Sequence, residues 1–392
     1  MNQSEQLRLV FLADYPFSER DFERFGIAVL REYFDVVIYD IANIVNPKSL
    51  AIRALPRTLD PGLMTFATLE GVLEELRTFN PHAMISNIGL TDVRQSIYEL
   101  LESIGTETCD LRVCLTPGDS ISQDPPWKRI INRVKQTTGP MGVLKLIARK
   151  IQAPRIQHST PRVLVTGGSE SRNNVHPSTH VIKAHSLDFD RHLHARKRSP
   201  KPAMDRPYAV YLDQVMGFHV DYEFSGLRVP IEPQSFYEDL HAYFQRFSKH
   251  TGLAIVACPH PRGNTAFIKT RLRDVEVTDI PAVDAIANAS CVLGHNSTAL
   301  SFAVLWNKPA ILMANRDLMK SWEGPFVTKF AERLGARIDM IDDRENTMFP
   351  QVGPTSNALY EAYIRDFLSE VPNDLRSTWS IVGEELRMRQ VK

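Results

Sequence analysis

Two successive α/β domains, each a parallel sheet alternating with helices, are what this sequence predicts, and three observations carry the prediction. Short apolar runs of buried-strand type alternate with segments of helical periodicity. The alternation breaks once, in a basic stretch with two prolines between Asp188 and Arg206, and then restarts. The chain of 392 residues is also long for a single core.

The first half opens strand, helix, strand. "LRLVFLA" is a continuous apolar run, and Ser18 with Asp21 forms a helix-start box. A helical face follows with Phe22, Phe25, Val29 and Tyr33, and "DVVIYDI" is the second strand. The pattern continues with "LEGVLEELRTF" as helix, "HAMISNI" as strand, "DVRQSIYELLESIG" as helix and "RVCLTP" as strand. "RVLVTGG" is a further strand, and its glycine pair allows a partner backbone or a substrate to come close. After the break, "YAVYLD" is a strand, and Ser235 with Glu238 reads as the capping box of a helix that turns Phe236, Leu240, Tyr243, Phe244 and Phe247 to one side. "GLAIVAC", "VEVTDI", "CVLG" and "PAILM" are strands, with "AVDAIANA" and "ALSFAVLW" as helices between them. The chain ends in helical stretches over 356–371 and 375–388.

Composition narrows the function. Lys and Arg together number 46, as do Asp and Glu, so no basic field points to a general nucleic-acid binder. No apolar run reaches the roughly 18 to 20 residues of a membrane span. Met1 to Gln6 is polar and runs into the first strand without a signal-peptide layout. Cys109, Cys114, Cys258 and Cys291 lack metal spacing and fit a reducing cytoplasm, with Cys258 and Cys291 as inert core residues. "TGGSESRNN" lacks the dinucleotide fingerprint and no P-loop occurs, which weakens NAD and ATP-hydrolysis readings.

In open parallel sheets ligands bind outside the carboxyl ends of the strands. Polar residues follow three strands of the second half: Asp213-Gln214 after "YAVYL", His260 after "LAIVACP", and His295-Asn296-Ser297-Thr298 after "CVLG". Gly294 permits a tight strand-to-helix turn, and Ser297 and Thr298 fall at a helix start, where free N–H groups and two hydroxyls suit a phosphate. A plain N-cap is the alternative for Asn296 or Ser297. Pro261 holds His260 extended, so its imidazole can meet a phosphate oxygen or protonate a leaving group, with a satisfied structural histidine as the alternative; Arg262 adds charge or is a solvated loop residue. Asp213 is either a helix cap or a catalytic carboxylate, with His219, Asp221 and Glu223 in "GFHVDYEF" competing for the role. Between Pro125 and Ser169 stand nine Lys or Arg and no acid, interleaved with apolar residues, as anionic headgroups or a pyrophosphate-linked lipid would require; a solvated basic helix accounts for it equally.

"CPHPRG" and "VLGHNSTALSFAVLWNKPAIL", with "VYLDQVMGFHVDY" upstream, resemble bacterial surface-polysaccharide glycosyltransferases of GT-B architecture. The pattern is most similar to the CMP-sugar users, the sialyl- and polysialyltransferases and the Kdo transferases. "LADYPFSERDFERFGIAVL" and "HVIKAHSLDFDRHL" look like the same broad group. The resemblance implies two Rossmann-like domains whose parallel sheets face across a cleft. It maps His260 and Pro261 onto the HP motif, and Ser297 and Thr298 onto the Ser/Thr motif, both of which hold CMP. Asp213 in "LDQ" is similar to the proposed nucleophile of the retaining Kdo transferases. The acidic pair before glycine that sialyltransferases use as base is missing, so the anomeric outcome stays open.

The expected organisation is an acceptor domain over 1–190, a linker over 191–206, a nucleotide-sugar domain over 207–372, and a terminal helix over 373–392 that packs back on the first domain. The expected activity is transfer of Kdo or another 2-keto sugar acid from CMP to a surface glycan or its lipid-linked precursor, at the cytoplasmic face. No metal and no cofactor beyond the nucleotide sugar is expected, and residues 127–155 would contact the membrane. Asp213 and His260 are the catalytic candidates, and His260, Pro261, Arg262, His295, Asn296, Ser297 and Thr298 the nucleotide-binding ones. A polyol-phosphate transferase using a donor like CDP-glycerol, or a non-catalytic GT-B module that binds glycan or scaffolds an assembly, are the alternatives.

Overall fold

The computed structural model describes residues 6–47, 56–88, 91–118, 160–219, 222, 228–260, 265–345, 349 and 356–390. These divide between two compact units. The first takes the described chain up to Val113, Thr160–Leu187 and Ser369 onward; the second takes Cys114–Gly118 and Asp188–Leu368.

Seven parallel strands form the sheet of the first unit: β1 (Arg8–Ala13), β2 (Asp35–Asp40), β3 (Leu63–Thr65), β4 (Ala83–Ser86), β5 (Glu107–Arg112), β6 (Val163–Thr166) and β7 (His180–Lys183). Their order is β3-β2-β1-β4-β5-β6-β7. Leu9 to Ala13 are buried, as a strand covered on both faces requires. The Ser18 box forms as expected: its hydroxyl and its N–H both donate to the Asp21 carboxylate, at 2.6 and 3.2 Å.

The strand expected at "RVCLTP" lies earlier, in β5, because its charged residues hide it from an apolar search. Each charge has a partner: Asp110 accepts from Arg94 and from the Tyr98 hydroxyl, and Glu107 accepts from Arg389 at 2.6 Å. The glycine pair after β6 admits a backbone rather than a substrate, since a Cβ on Gly167 would stand 3.0 Å from the Ser186 nitrogen.

The terminal helix, Thr378–Gln390, buries Trp379, Ile381, Val382 and Leu386 in the core of the first unit. The Trp379 indole N–H donates to the Arg24 carbonyl at 3.0 Å. The stretch expected as a linker is half helical. Leu187–Arg198 forms a helix with Asp188 and Asp190 in its first turn and Arg196, Lys197 and Arg198 in its last, charges that match the helix dipole where apolar periodicity is weak.

The second unit has six parallel strands: β8 (Tyr208–Leu212), β9 (Ala254–Cys258), β10 (Glu276–Val277), β11 (Cys291–Gly294), β12 (Ala310–Ala314) and β13 (Arg337–Met340), in the order β10-β9-β8-β11-β12-β13. The helix Pro233–Thr251 packs Phe236, Leu240, Tyr243, Phe244 and Phe247 into the core, together with Tyr237. It starts two residues before the expected box. Pro233 occupies the first turn, and the Glu232 carboxylate accepts from the N–H groups of Gln234 and Ser235 at 3.1 and 2.6 Å. Burial pushes the thiols of Cys258 and Cys291 up to about 12, which keeps both unreactive. Among the described residues no helix is long and apolar enough to cross a membrane.

Candidate functional site

Strand order locates the site. β8 and β11 are neighbours, but the chain leaves β8 toward β9 and leaves β11 toward β12. The two departing loops diverge and open a crevice at their carboxyl ends. Asp213 and Gln214 follow β8, His260 follows β9, and His295 to Thr298 follow β11, so one rim collects all three predicted stretches. Pro261, Arg262, Asp221 and Glu223 lie outside the described residues, as does the basic segment over 127–155.

Asp213 is placed differently from a nucleophile. It is 3% exposed, and four donors converge on its carboxylate. Tyr237 and Tyr211 hydroxyls approach Oδ1 at 3.0 and 3.3 Å, the Val215 N–H donates to Oδ2 at 3.0 Å, and the His260 N–H is the fourth. The Tyr211 proton is shared with His295, but three further donors on about four acceptor positions, together with burial, close the carboxylate to an electrophile. Burial raises its pKa against these donors. The group ties the loop after β8 to the start of the loop after β9, and thereby sets the backbone that carries His260.

That loop is strained. Val215 has φ of +51°, unfavourable for a β-branched residue and held by the Asp213 bond and by burial of its side chain. Gly217 follows at φ of +83°, where a Cβ would stand 2.5 Å from Pro233 Cγ.

His295, expected as a nucleotide ligand, is fully buried. Nδ1 lies 2.6 Å from the Met313 carbonyl, which only accepts, so Nδ1 carries the proton. Nε2, left as an acceptor, faces the Tyr211 hydroxyl at 3.3 Å, and the single Tyr211 proton is shared between this nitrogen and Asp213 Oδ1. With both nitrogens facing partners inside the unit, the ring joins β11 to β12 instead of reaching the crevice. Burial lowers its pKa to about 4, so it is neutral at pH 7.

Asn296 is likewise occupied. Its backbone N–H donates to Gln214 Oε1 at 3.0 Å while its Oδ1 accepts from Gln214 Nε2 at 3.1 Å, a reciprocal pair that joins the two loops across the switch point. Its amide also donates to Glu323. Gly294 needs no left-handed backbone; packing leaves little room for a side chain there, with Leu300 Cδ2 3.2 Å from where a Cβ would lie. Ser297 is an N-cap in fact, accepting from the Ala299 N–H at 3.2 Å, at the start of a 3-10 turn (Thr298–Leu300) that runs into the helix Ser301–Leu305. Thr298 is exposed and Ser297 half-buried beside it.

His260 is half-buried, and the His219 ring meets it edge to face with centroids 4.8 Å apart. His219 in turn lies 6.4 Å from the Tyr222 ring. The Tyr222 hydroxyl donates to Glu323 Oε1 at 2.7 Å. Glu323 is 5% exposed, and burial raises its pKa despite the bonds from Tyr222 and Asn296. Sequence reading passes over this acid because it precedes Gly324-Pro325, the start of the helix Gly324–Leu334, and looks like an ordinary cap. Its side chain makes no capping bond and turns to the rim instead. Among the described residues no cluster of three or more His, Cys, Asp or Glu could hold a metal. The N–H groups of Ala299, Leu300 and Ser301 are spent inside the turn, so the groups presented on the rim are imidazoles and the Ser297 and Thr298 hydroxyls, a set suited to one anionic group.

No protein-family model matches the sequence, and neither does any curated protein. Likeness to solved structures extends over nearly the whole chain. The glycosyltransferase of kitacinnamycin is 11% identical, with 98% of this chain and 99% of that one covered and a TM-score of 0.52. The wall teichoic acid polymerase TagF, as its H548A variant, is 9% identical, with 98% and 89% covered and a TM-score of 0.51. The glycosyltransferase SnogD from Streptomyces nogalater is 11% identical, with 98% and 100% covered and a TM-score of 0.49. At such identities the likeness is one of architecture, and with two parallel sheets of seven and six strands it establishes the fold of this chain as GT-B.

Proposed function

We propose that this chain is a glycosyltransferase that takes a sugar from a nucleotide-linked donor and passes it to a bacterial surface glycan or its lipid-linked precursor. The donor proposed is Kdo or another 2-keto sugar acid on CMP. One observation carries the reading: in a GT-B fold, His260 and the Ser297–Thr298 turn follow strands that flank β8 and end on the rim of the β8/β11 switch point. The turn supplies the Ser297 and Thr298 hydroxyls to the donor phosphate, and His260 donates to the phosphate oxygen that leaves. Stabilising charge on the departing nucleotide is the term expected to dominate the rate. Asp213 serves by fixing the His260 backbone, which replaces its expected role as nucleophile. The first unit and the 127–155 segment would meet the acceptor, at the cytoplasmic face of the membrane.

The test is a thermal-shift series with CMP, CDP, UDP and GDP. A ligand at a hundred times its Kd adds about 2.7 kcal/mol to the unit that binds it. CMP alone should raise the melting temperature, and His260→Ala should abolish that rise while the unliganded protein melts normally. No rise with any nucleotide would sink the transferase reading. The similarity to the wall teichoic acid polymerase favours one second reading, transfer of a polyol phosphate from a donor like CDP-glycerol. Turnover of CDP-glycerol rather than of CMP-Kdo would select it.

A further inference from the structure

The rim holds a proton acceptor as well as a donor. From His260 the contacts run to His219, then Tyr222, then Glu323, through ring separations of 4.8 and 6.4 Å and a 2.7 Å hydrogen bond. Glu323 is a carboxylate with no structural task that explains its burial. It makes no helix-capping bond, and a neutral residue could take the Tyr222 and Asn296 bonds without the cost of burying a charge. We propose that Tyr222 and Glu323 are the pair that deprotonates the acceptor hydroxyl, with Tyr222 as the residue the acceptor touches.

In this step the acceptor O–H gives its proton to the Tyr222 oxygen while the Tyr222 O–H passes its own to Glu323 Oε1. The acceptor oxygen forms the new bond to the anomeric carbon. The bond from that carbon to the phosphate oxygen breaks, and its electron pair leaves with the nucleotide, where His260 meets it. The transferred proton ends on the Glu323 carboxylate, and the nucleotide leaves as its phosphate. Tyr222 is the catalytic residue of the pair; Glu323 acts through it, as a positioning residue and as the final resting place of the proton. Asp213 cannot fill this role because it is buried and already engaged by the donors around it.

The inference rests on the transferase reading, and the experiment separates the two. Nucleotide release from CMP-Kdo, UDP-N-acetylglucosamine, GDP-mannose and CDP-glycerol is followed with a surface-polysaccharide oligosaccharide as acceptor, alongside nucleotide affinity by calorimetry. With the donor that the wild type uses, Tyr222→Phe and Glu323→Gln should each lower kcat by about 100-fold or more. KM for the donor and nucleotide Kd should stay within about threefold, since uniform binding is untouched. Glu323→Ala, which opens space for a small anion, should regain turnover on adding formate, a response that lost packing cannot produce. Wild-type turnover in Tyr222→Phe or Glu323→Gln overturns the pair and leaves the transferase reading intact. So does a joint loss of kcat and nucleotide affinity without formate rescue. A wild type that uses none of the four donors overturns both.

Discussion

Asp213→Asn separates a positioning carboxylate from a nucleophile. The substitution keeps shape and removes charge. With its oxygen at the Oδ2 position, the amide still accepts from the Val215 N–H, 3.0 Å away in the native structure. Its NH2 then points at Tyr237 and Tyr211, whose hydroxyls can rotate to accept, and Tyr211 can pass its own proton to His295 Nε2, already 3.3 Å away. Charge-assisted bonds become neutral ones, a loss of roughly 1 kcal/mol per bond, partly offset by relief of a buried charge. The net change should be no more than about 1–2 kcal/mol. Asp213→Ala strips three donors of their acceptor at about 1–3 kcal/mol each, Tyr211 turning to His295, and that approaches the roughly 5–15 kcal/mol stability of a whole domain. Urea denaturation of the two variants should therefore differ sharply, the Asn protein close to wild type and the Ala protein largely unfolded. Nucleotide affinity and transfer should survive in the Asn protein within about tenfold. An Asn protein with native stability and native nucleotide affinity, but turnover reduced by a thousandfold, would mean that the charge acts on substrate and would refute the positioning role.

Three further outcomes follow from the same geometry. His295 has a folded pKa of about 4 against an ordinary 6.5, so the unfolded chain binds more protons between those values and stability falls as pH drops through that window. The loss should reach on the order of 3 kcal/mol near pH 4. His185 and His192 are depressed in the same direction, so the His295 share is isolated as the difference between wild type and His295→Asn in urea melts from pH 7 to pH 4. Gly217→Ala adds a Cβ 2.5 Å from Pro233 Cγ at a φ of +83° and should cost about 2–4 kcal/mol in the same assay; unchanged stability would contradict the turn. Trp379→Ala removes a fully enclosed indole and its 3.0 Å bond to the Arg24 carbonyl. The loss of about 3–5 kcal/mol falls on the first unit, so calorimetry should show its transition moved down while the second unit keeps any nucleotide-induced shift.

What the chain revealed in advance and what it hid divide along a physical line. Strand positions such as "LRLVFLA" and "YAVYL" were legible because a strand buried on both faces must be apolar throughout, a property of a few consecutive residues. The rim was legible for the same reason: where each strand ends is local information, and the ligand rule for parallel sheets does the rest. β5 stayed hidden because its charges are cancelled by Arg94 and by Arg389, and the second of these lies 282 residues away in sequence. The role of each polar residue on the rim is non-local in just this sense. Asp213 and His295 sit directly after buried strands, where the backbone is most tightly enclosed, so the elements packed around them supply partners for their polar atoms. Thr298 and His260 stand one step further out and keep some exposure. A polar residue immediately following a buried strand is therefore more apt to build the wall of a site than to touch its ligand. The acid best placed for chemistry, Glu323, comes from a loop more than a hundred residues downstream of Asp213. Only the strand order, which sets β12 beside β11 and β11 beside β8, brings that loop to the same rim.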